Sequence, residues 1–567
     1  MTYGTILPGF ILRPVIYVLL IVTVTSQAAH AEADTRLKAN PVLPPLTVYT
    51  PANAPTTPKL ADLEKKKSIS QYGITWTFDR DVPVGRFISG DWYVVGPVTV
   101  VMIDPKPLFG EEVTEPLVVI GTTSEKPHAA RRARNGSMVN PPPATKTSSR
   151  AGFDSRIATG RYKPELFAHL PIALKPGDVL LSSISRTFEE IGEKGFQGGW
   201  PDPIRSCAVL TVLSEPQPAD AFRPSYCDTA NSKQYLARNI TQRGRLQSMP
   251  RLAGMPADLG TYAVKFQRPW VDLSDYGTSC ALENMPHYGQ TMNQDLGEAT
   301  ILLNMNYTAE EKERLIVNLI QVGIDRWGQT RHGYSWIADG GHYQGRKWPI
   351  VFAGLMLGDE QLTYPRKAYP KNRFEEDDQT GLCPYEYKGK VYEQCWTGAK
   401  AFYVGHSPWN TTPDEVVVGA WEIGWGPIEL FHPRDWPVIK ATSGVGSKGL
   451  GSYGYRMSNS SPCWVGLALG IRLMHAEKEW NMPGFCEYVD RWMNEDDSQQ
   501  IEQAMAHCPW IENMYPTIKK ATFGNYGRQG YVSNNSKWVK EAWLKLRDTI
   551  PVGPDGHKTP SQRESWR

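Results

Sequence analysis

Residues 327–360 decide the architecture of this chain, because they place a glycine-rich polar loop between two apolar segments of helical periodicity. The stretch reads Trp327-Gly-Gln-Thr-Arg-His-Gly-Tyr-Ser-Trp-Ile-Ala-Asp-Gly-Gly-His-Tyr-Gln-Gly-Arg-Lys-Trp-Pro-Ile-Val-Phe-Ala-Gly-Leu-Met-Leu-Gly-Asp-Glu360. Gly340, Gly341 and Gly345 permit backbone conformations that other residues avoid, so they allow the chain to turn sharply. We therefore expect the polar side chains around this turn to converge on one site.

The segments on either side of the loop read as helices. Thr308-Ala-Glu-Glu311 is a capping-box sequence, and it opens a run of apolar residues at helical spacing over residues 312–325. After the loop, residues 346–358 are apolar on almost every side, which is typical of a buried helix, and Pro349 is tolerated in its first turn. Further helical patterns cover residues 291–304, 462–479, 484–506 and 535–548.

Long Gly-, Trp- and Tyr-rich connections join these helices, notably over residues 380–460. Connections of that length inside a compact domain are usually functional. Helical hairpins with long loops at one end predict an incomplete α/α toroid over residues 231–550, with a C-terminal tail over residues 551–567.

The amino-terminal half has strand-like character instead. Short β-branched runs separated by turn residues indicate an antiparallel β-sandwich over residues 70–230. The runs are residues 73–78, 92–95, 98–103, 117–120, 178–183 and 208–213. The predicted fold class is therefore α+β multidomain, with a sandwich followed by a toroid.

The first 69 residues read as export and leader segments. Arg13 precedes an apolar run over residues 15–25, and Ala29-His30-Ala31 fits the small-residue rule for cleavage, so residues 1–31 are predicted to be a signal peptide. Residues 32–69 form a Pro-rich leader. We expect a periplasmic or secreted protein without a stable membrane span after cleavage; an uncleaved amino-terminal anchor is the alternative.

Charge and cysteine content restrict the function classes. The chain has 61 basic and 59 acidic residues, a net charge of +2, which gives no electrostatic footprint for nucleic acid. Eight cysteines in an exported chain favour disulfides. We predict Cys383 with Cys395, through a hairpin that turns at Lys388-Gly389, and then Cys207 with Cys227; Cys486 with Cys508 is a weaker pair.

The aromatic residues indicate a carbohydrate ligand. Nineteen tryptophans and 26 tyrosines supply ring surface, and amphipathic rings suit both the apolar faces and the hydroxyl edges of sugars. Core packing accounts for most of these rings, but many lie in glycine-rich loops. The residues expected to bind substrate are Trp336, Asp339, His406, Trp421, Glu422, Tyr453, Arg456 and Asn459.

A helical domain paired with a β-sandwich, with His, Tyr, Arg and Asn in its loops, resembles the secreted polysaccharide lyases that degrade alginate, chondroitin and heparin. The domain order here is reversed, and the Asn-Asn-His run of several such families is absent. The resemblance implies β-elimination from a uronate-containing, acidic polysaccharide.

That reaction needs a base, an acid for the leaving oxygen and a group that neutralises the carboxylate. The candidates are His342 or His332 as base, Tyr343 or Tyr334 as acid, and Arg346 as clamp. Tyr455 supplies a second tyrosine. The sequences Tyr403-Val-Gly-His406 and Met285-Pro-His-Tyr288 offer further pairs.

Other readings stay open. A glycoside hydrolase would use two carboxyl groups, best Asp339 and Glu422, with Asp414 and Glu429 behind them. A non-catalytic glycan-binding protein would also explain the rings and the export. We expect no cofactor and no catalytic metal; a structural Ca²⁺ near residues 375–378 is the alternative to a solvated acidic loop there.

Overall fold

The computed structural model describes a sheet-rich amino-terminal part and a helical carboxy-terminal part. The described residues are 46–109, 133–141, 153–154, 164–187, 190, 203–229, 232–272, 281–286, 288–338, 340–387, 389–405, 410–412, 415–417, 428–435, 456–496, 502–503, 506–507, 532, 536–553, 556, 558–561 and 565. The predicted signal peptide lies outside these residues, as does the strand predicted over residues 117–120.

The amino-terminal part is built on one sheet of eight strands in the order β7-β9-β10-β3-β2-β4-β8, with β1 also paired to β2. Neighbouring strands are antiparallel except for β3 and β10, which are parallel. The strands are β1 Lys65–Gln71, β2 Ile74–Arg86, β3 Trp92–Val95, β4 Val98–Asp104, β7 Ser137–Val139, β8 Ile172–Leu174, β9 Val179–Ser185 and β10 Ile204–Leu213; β5 Leu108–Phe109 pairs separately with β6 Ala133–Arg134.

The sheet curls because different parts of the long strand β2 pair with different neighbouring strands. Residues 74–77 and 82–83 of β2 pair with β1, residues 75–78 pair with β4, and the last three residues of β2 pair with β3. Trp76 of β2 donates a hydrogen bond from Nε1 to Ser182 Oγ of β9 at 3.0 Å, so β2 and β9 face each other across buried side chains. The antiparallel strands are confirmed and form one curled sheet; a sandwich of two sheets does not follow from this pairing. The sheet also begins at Lys65, inside the predicted leader.

Eleven α-helices follow in the described part of the chain. They are α1 Gly260–Lys265, α2 Gly289–Leu303, α3 Ala309–Arg331, α4 Lys347–Leu357, α5 Glu360–Thr363, α6 Pro365–Ala368, α7 Glu375–Gln379, α8 Ser461–Leu473, α9 Glu477–Trp480, α10 Pro483–Asn494 and α11 Lys537–Leu546. Short strands lie between α7 and α8: β11 Thr380–Leu382, β12 Tyr385–Tyr387, β13 Lys390–Tyr392, β14 Ala401–Tyr403, β15 Asn410–Thr412 and β16 Glu415–Val417.

Local sequence signals explain where these helices begin and end. Thr308 Oγ1 accepts a hydrogen bond from Glu311 N at 3.2 Å, and the Glu311 carboxylate accepts one from Thr308 N at 2.6 Å, so the predicted capping box forms at the start of α3. Gly358 ends α4 in the left-handed conformation that glycine favours. α2 packs against α8 and α3 packs against α4; a toroid does not follow from these pairs.

A buried ion network joins the sheet to the helices. The Arg223 guanidinium lies 2.8 Å from Asp91, which precedes β3, and 2.6 Å from Asp325 of α3. All three side chains are buried. Removing one partner from such a network leaves an uncompensated buried charge, so the network holds the two parts together.

The cysteines differ from the prediction. Cys207, Cys227, Cys383 and Cys395 are buried free thiols, as are Cys463 and Cys486; Cys280 and Cys508 lie outside the described residues. β12 and β13 do pair as an antiparallel hairpin, with Tyr387 opposite Lys390; Lys388 lies outside the described residues. Cys383 lies before this hairpin, where its amide donates to the Lys400 carbonyl. Cys395 lies after the hairpin, where its thiol contacts Thr397 Oγ1. No described helix is long and apolar enough to cross a bilayer.

Candidate functional site

The turn at residues 340–345 packs against the start of α2. A Cβ on Gly289 would lie 2.5 Å from the carbonyl oxygens of Gly341 and His342, so the loop requires glycine at the first residue of the helix. A Cβ on Gly341 would lie 2.5 Å from Asn459 Oδ1 and 2.9 Å from the Tyr288 hydroxyl. Two glycines from distant segments therefore allow three chain segments to meet.

Tyr288, His342 and Asn459 form what we call the tyrosine cluster. Asn459 Nδ2 donates to the Tyr288 hydroxyl oxygen at 2.6 Å. The Tyr288 ring meets the His342 ring edge to face, with centroids 4.9 Å apart. All three residues are half-buried, so the cluster combines fixed geometry with access from solvent.

Each member of the tyrosine cluster is placed by a different element. Tyr288 directly precedes α2, His342 belongs to the glycine-rich loop, and Asn459 lies in a π-helical turn over Arg456–Ser460 that leads into α8. Gln290 Nε2 donates to the Asn459 carbonyl at 3.1 Å, which ties that turn to α2. A hydroxyl that accepts one hydrogen bond still has a proton to donate, so Tyr288 can act as an acid.

Two of the residues around the turn, Trp336 and Arg346, lie instead in a buried group that we call the Asp272 cluster. Asp272 Oδ2 accepts from Trp336 Nε1 at 3.0 Å and from Arg346 Nε at 3.1 Å, and Arg326 lies 3.4 Å away. All four side chains are buried. Burial opposes ionisation of Asp272, but Arg346 and Arg326 hold its pKa below the ordinary value.

This placement does not match the expected role of Arg346 as a clamp for a substrate carboxylate. Its guanidinium also donates to the carbonyls of His342 at 2.9 Å and Gln344 at 2.7 Å. Arg346 therefore braces the loop from inside the protein. Trp336, expected to bind substrate, is fully buried and stacks on Phe374 with centroids 5.7 Å apart.

The acidic segment after Phe374 forms the helix α7, and we call its side chains the carboxylate ladder. Glu375 accepts from Tyr343 N at 2.5 Å, Glu376 from Gly345 N at 2.6 Å, and Asp378 from Ala338 N at 3.4 Å. Asp377 pairs with Lys347 Nζ at 2.7 Å. The expectation of a solvated loop is wrong, because each carboxylate binds the glycine-rich loop or the residue just after it.

The carboxylate ladder also bears on the Ca²⁺ alternative. Lys347 and Arg366 approach Asp377, and Arg373 approaches Asp378, so cations of the chain already occupy these oxygens. Among the described residues, no group of three His, Cys, Asp or Glu side chains could hold a metal ion.

The remaining candidates around the turn are scattered. His332 ends α3 with 44 % of its side chain exposed, and its Nε2 lies 3.3 Å from Asp228. Tyr334 is buried and meets the Trp336 ring edge to face. Tyr343 is also buried, with its ring 5.8 Å from the Arg346 guanidinium. None of these contacts brings the three residues to the tyrosine cluster.

Arg456 and Glu429 belong to a second buried ion network. Glu429 lies 3.6 Å from Arg456 and 3.0 Å from Arg491. Burial would raise the pKa of Glu429, but Arg491 and Arg456 lower it below its ordinary value. Arg456 further contacts the Trp492 ring at 5.3 Å. A carboxylate held ionised by two arginines is unsuited to donate a proton.

Several predicted site residues lie outside the described residues, and so does His287, which the sequence suggested as a pair with Tyr288. They are Asp339, His406, Asp414, Trp421, Glu422, Tyr453, Tyr455 and His287. Sequence reasoning named His342 and Asn459 for the site but gave Tyr288 no assigned role. The sequence signal that could have identified Tyr288 is its position as an aromatic residue immediately before a helix that begins with glycine.

No protein-family model, no curated protein and no solved structure matches this chain.

Proposed function

We propose that the chain is an exported polysaccharide lyase that cleaves a uronate-containing polysaccharide by β-elimination at the tyrosine cluster. The observation that carries the proposal is the meeting of Tyr288, His342 and Asn459, since it unites an imidazole, a phenol and an amide at a half-exposed position. These are the groups that the reaction requires.

His342 is the base in this proposal. Its Nδ1 is buried, so the proposal assigns the proton transfer to Nε2. The imidazole takes the proton next to the uronate carboxylate, and the electron pair of that C–H bond forms the new carbon–carbon double bond. The bond to the leaving glycosidic oxygen breaks in the same step.

Tyr288 is the acid that completes the elimination. Its hydroxyl accepts from Asn459 and gives its own proton to the leaving oxygen. Asn459 therefore orients the phenol. With Arg346 committed to Asp272, the amino-terminal end of α2 provides the positive potential beside the cluster that favours a carboxylate.

The direct test is to incubate the protein with a panel of uronate polysaccharides. Elimination produces an ultraviolet-absorbing unsaturated uronate together with new reducing ends. We expect both signals to rise. Reducing ends without the absorbance would indicate a glycoside hydrolase, and retention on the glycan with neither signal would indicate a binding protein.

Replacing the base separates catalysis from folding. His342→Ala should lower kcat by about 10²- to 10⁴-fold, because it removes the group that takes the proton. His169→Ala is the matched control, since His169 lies in the sheet-rich part and stacks on Phe109 with centroids 4.7 Å apart. An unchanged rate for His342→Ala would rule out His342 as the base.

A further inference from the structure

Glu376 binds the backbone of the loop that contributes His342 to the tyrosine cluster. It lies on α7, it is fully buried, and its Oε1 accepts from Gly345 N at 2.6 Å. Gly345 is the last residue of the 340–345 loop, which contains His342. The Glu376 carboxyl therefore binds the backbone of the loop that holds the proposed base.

Unlike Asp377 and Asp378 of α7, Glu376 has no cation within ion-pair distance among the described residues. Asp377 has Lys347 at 2.7 Å and Arg366 at 3.4 Å, and Asp378 has Arg373 at 2.8 Å. No described hydrogen-bond donor reaches Glu376 Oε2, which is also buried. Ionisation of Glu376 would thus place a charge in the interior without a direct counter-ion.

We propose that Glu376 is a pH-sensitive latch for the 340–345 loop, which carries His342. The packed loop keeps the neutral carboxyl buried, and ionisation, which would leave a charge in the interior without a direct counter-ion, favours release of the loop. The inference rests on the proposed function for its effect on catalysis, whereas the movement of the loop does not depend on it. Glu376 touches no substrate, so it is a positioning residue that acts through His342.

The groups that face Glu376 determine when it ionises. The pKa of Glu376 is raised from 4.5 to about 7. Burial is the largest cause and the charge of Asp377 adds to it, whereas backbone hydrogen bonds, including that from Gly345, and the charge of Lys347 act in the opposite direction. Cys463 at the start of α8 also faces it, and burial holds the pKa of that thiol well above its ordinary value. Glu375 is adjacent on α7.

Proton linkage gives the direction of the effect. When the loop opens, water reaches Glu376 and its pKa returns toward 4.5, so the packed form binds the proton more tightly than the open form. The stability of the packed loop is fully present below pH 4.5 and declines as the pH rises through about 7. Alkaline conditions therefore favour the released loop.

Hydrogen–deuterium exchange of peptides covering residues 338–347 tests the latch. In the wild type, protection corrected for intrinsic exchange should fall on the order of ten-fold between about pH 5.5 and pH 8. Peptides from α3 should keep their protection over the same range. Glu376→Gln mimics the protonated carboxyl, so its loop should remain protected throughout.

Glu360→Gln is the matched control, because it removes one carboxylate whose side chain is 71 % exposed and pairs with Lys367 on the surface. It should behave as the wild type does. Equal pH dependence in Glu376→Gln and the wild type would overturn the proposal, as would constant wild-type protection from pH 5.5 to pH 8. The wild-type measurement decides the question even if Glu376→Gln fails to fold.

The effect of the latch on catalysis is measured separately, from the pH dependence of kcat. Wild-type kcat should fall as the pH rises from 4.5 to about 7 and then level off, and Glu376→Gln should lack this decline while its KM is unchanged. If no polysaccharide yields an unsaturated product, the proposed function fails while the exchange result still stands. If exchange shows no linkage, the latch fails while the elimination assay still tests His342.

Discussion

The tyrosine cluster and the Asp272 cluster draw on the same glycine-rich stretch but differ in burial and in charge. Asp272, Arg326, Trp336 and Arg346 are fully enclosed, and the carboxylate meets two guanidinium groups. The tyrosine cluster is half-exposed and contains neither carboxylate nor guanidinium. Polar residues that are adjacent in sequence thus divide into a group that supports the loop and a group that can meet a ligand.

The largest expected effect is on folding, from the Asp272 cluster. Asp272→Ala leaves Arg326 and Arg346 buried without their counter-ion, so the free energy of unfolding should fall by about 3–5 kcal/mol. Denaturant titration measures this loss. Asp435→Ala is the control, because Asp435 is 55 % exposed and pairs loosely with Arg434; it should change stability by less than about 1 kcal/mol. Equal losses would remove the distinction between the clusters.

The second-largest expected effect is a loss of catalytic rate when a residue of the tyrosine cluster is replaced. Tyr288→Phe removes the proposed acid and should lower kcat by about 10²-fold or more while the unfolding midpoint changes little. Tyr369→Phe removes a hydroxyl from a ring that packs on Trp327, with centroids 5.4 Å apart, and serves as the control. A fall in stability without a fall in kcat would assign Tyr288 a structural role.

A smaller effect links the two clusters through the loop that they share. Gly341→Ala places a methyl group against Asn459 and Tyr288 and should cost about 1–3 kcal/mol, together with a loss of rate as the amide and phenol are displaced. Gly466→Ala is the control, since its new Cβ would meet neighbours at distances of 3.4 Å or more. Full activity in Gly341→Ala would show that the cluster geometry does not matter.

Local signals predicted much of the fold. Three predicted features form because each depends on residues close together in sequence. They are the capping box at Thr308, the buried helix after the loop and the hairpin of β12 and β13. The curl of the sheet was not predicted. It arises from one strand of 13 residues, β2, that pairs with different partners along its length, and no short window of sequence reveals such a division.

The candidate site was predicted in part, for a related reason. His342 was expected to act as a base and Asn459 to bind substrate, and the structure brings both to a common partner, Tyr288. Arg346 was assigned to substrate because its partner, Asp272, lies far away in sequence. The segment at residues 375–378 was predicted to be solvated because the backbone amides that its carboxylates bind, in the glycine-rich loop, lie far earlier in the sequence.

The structure of the His342→Ala variant with a bound uronate oligosaccharide tests the central claim most directly, because the missing base should leave the substrate intact. We predict that the glycosidic oxygen lies within hydrogen-bond distance of the Tyr288 hydroxyl and that the proton next to the carboxylate points to the space left by the imidazole. A saccharide bound away from Tyr288, or oriented with its carboxylate toward the phenol, would contradict the account.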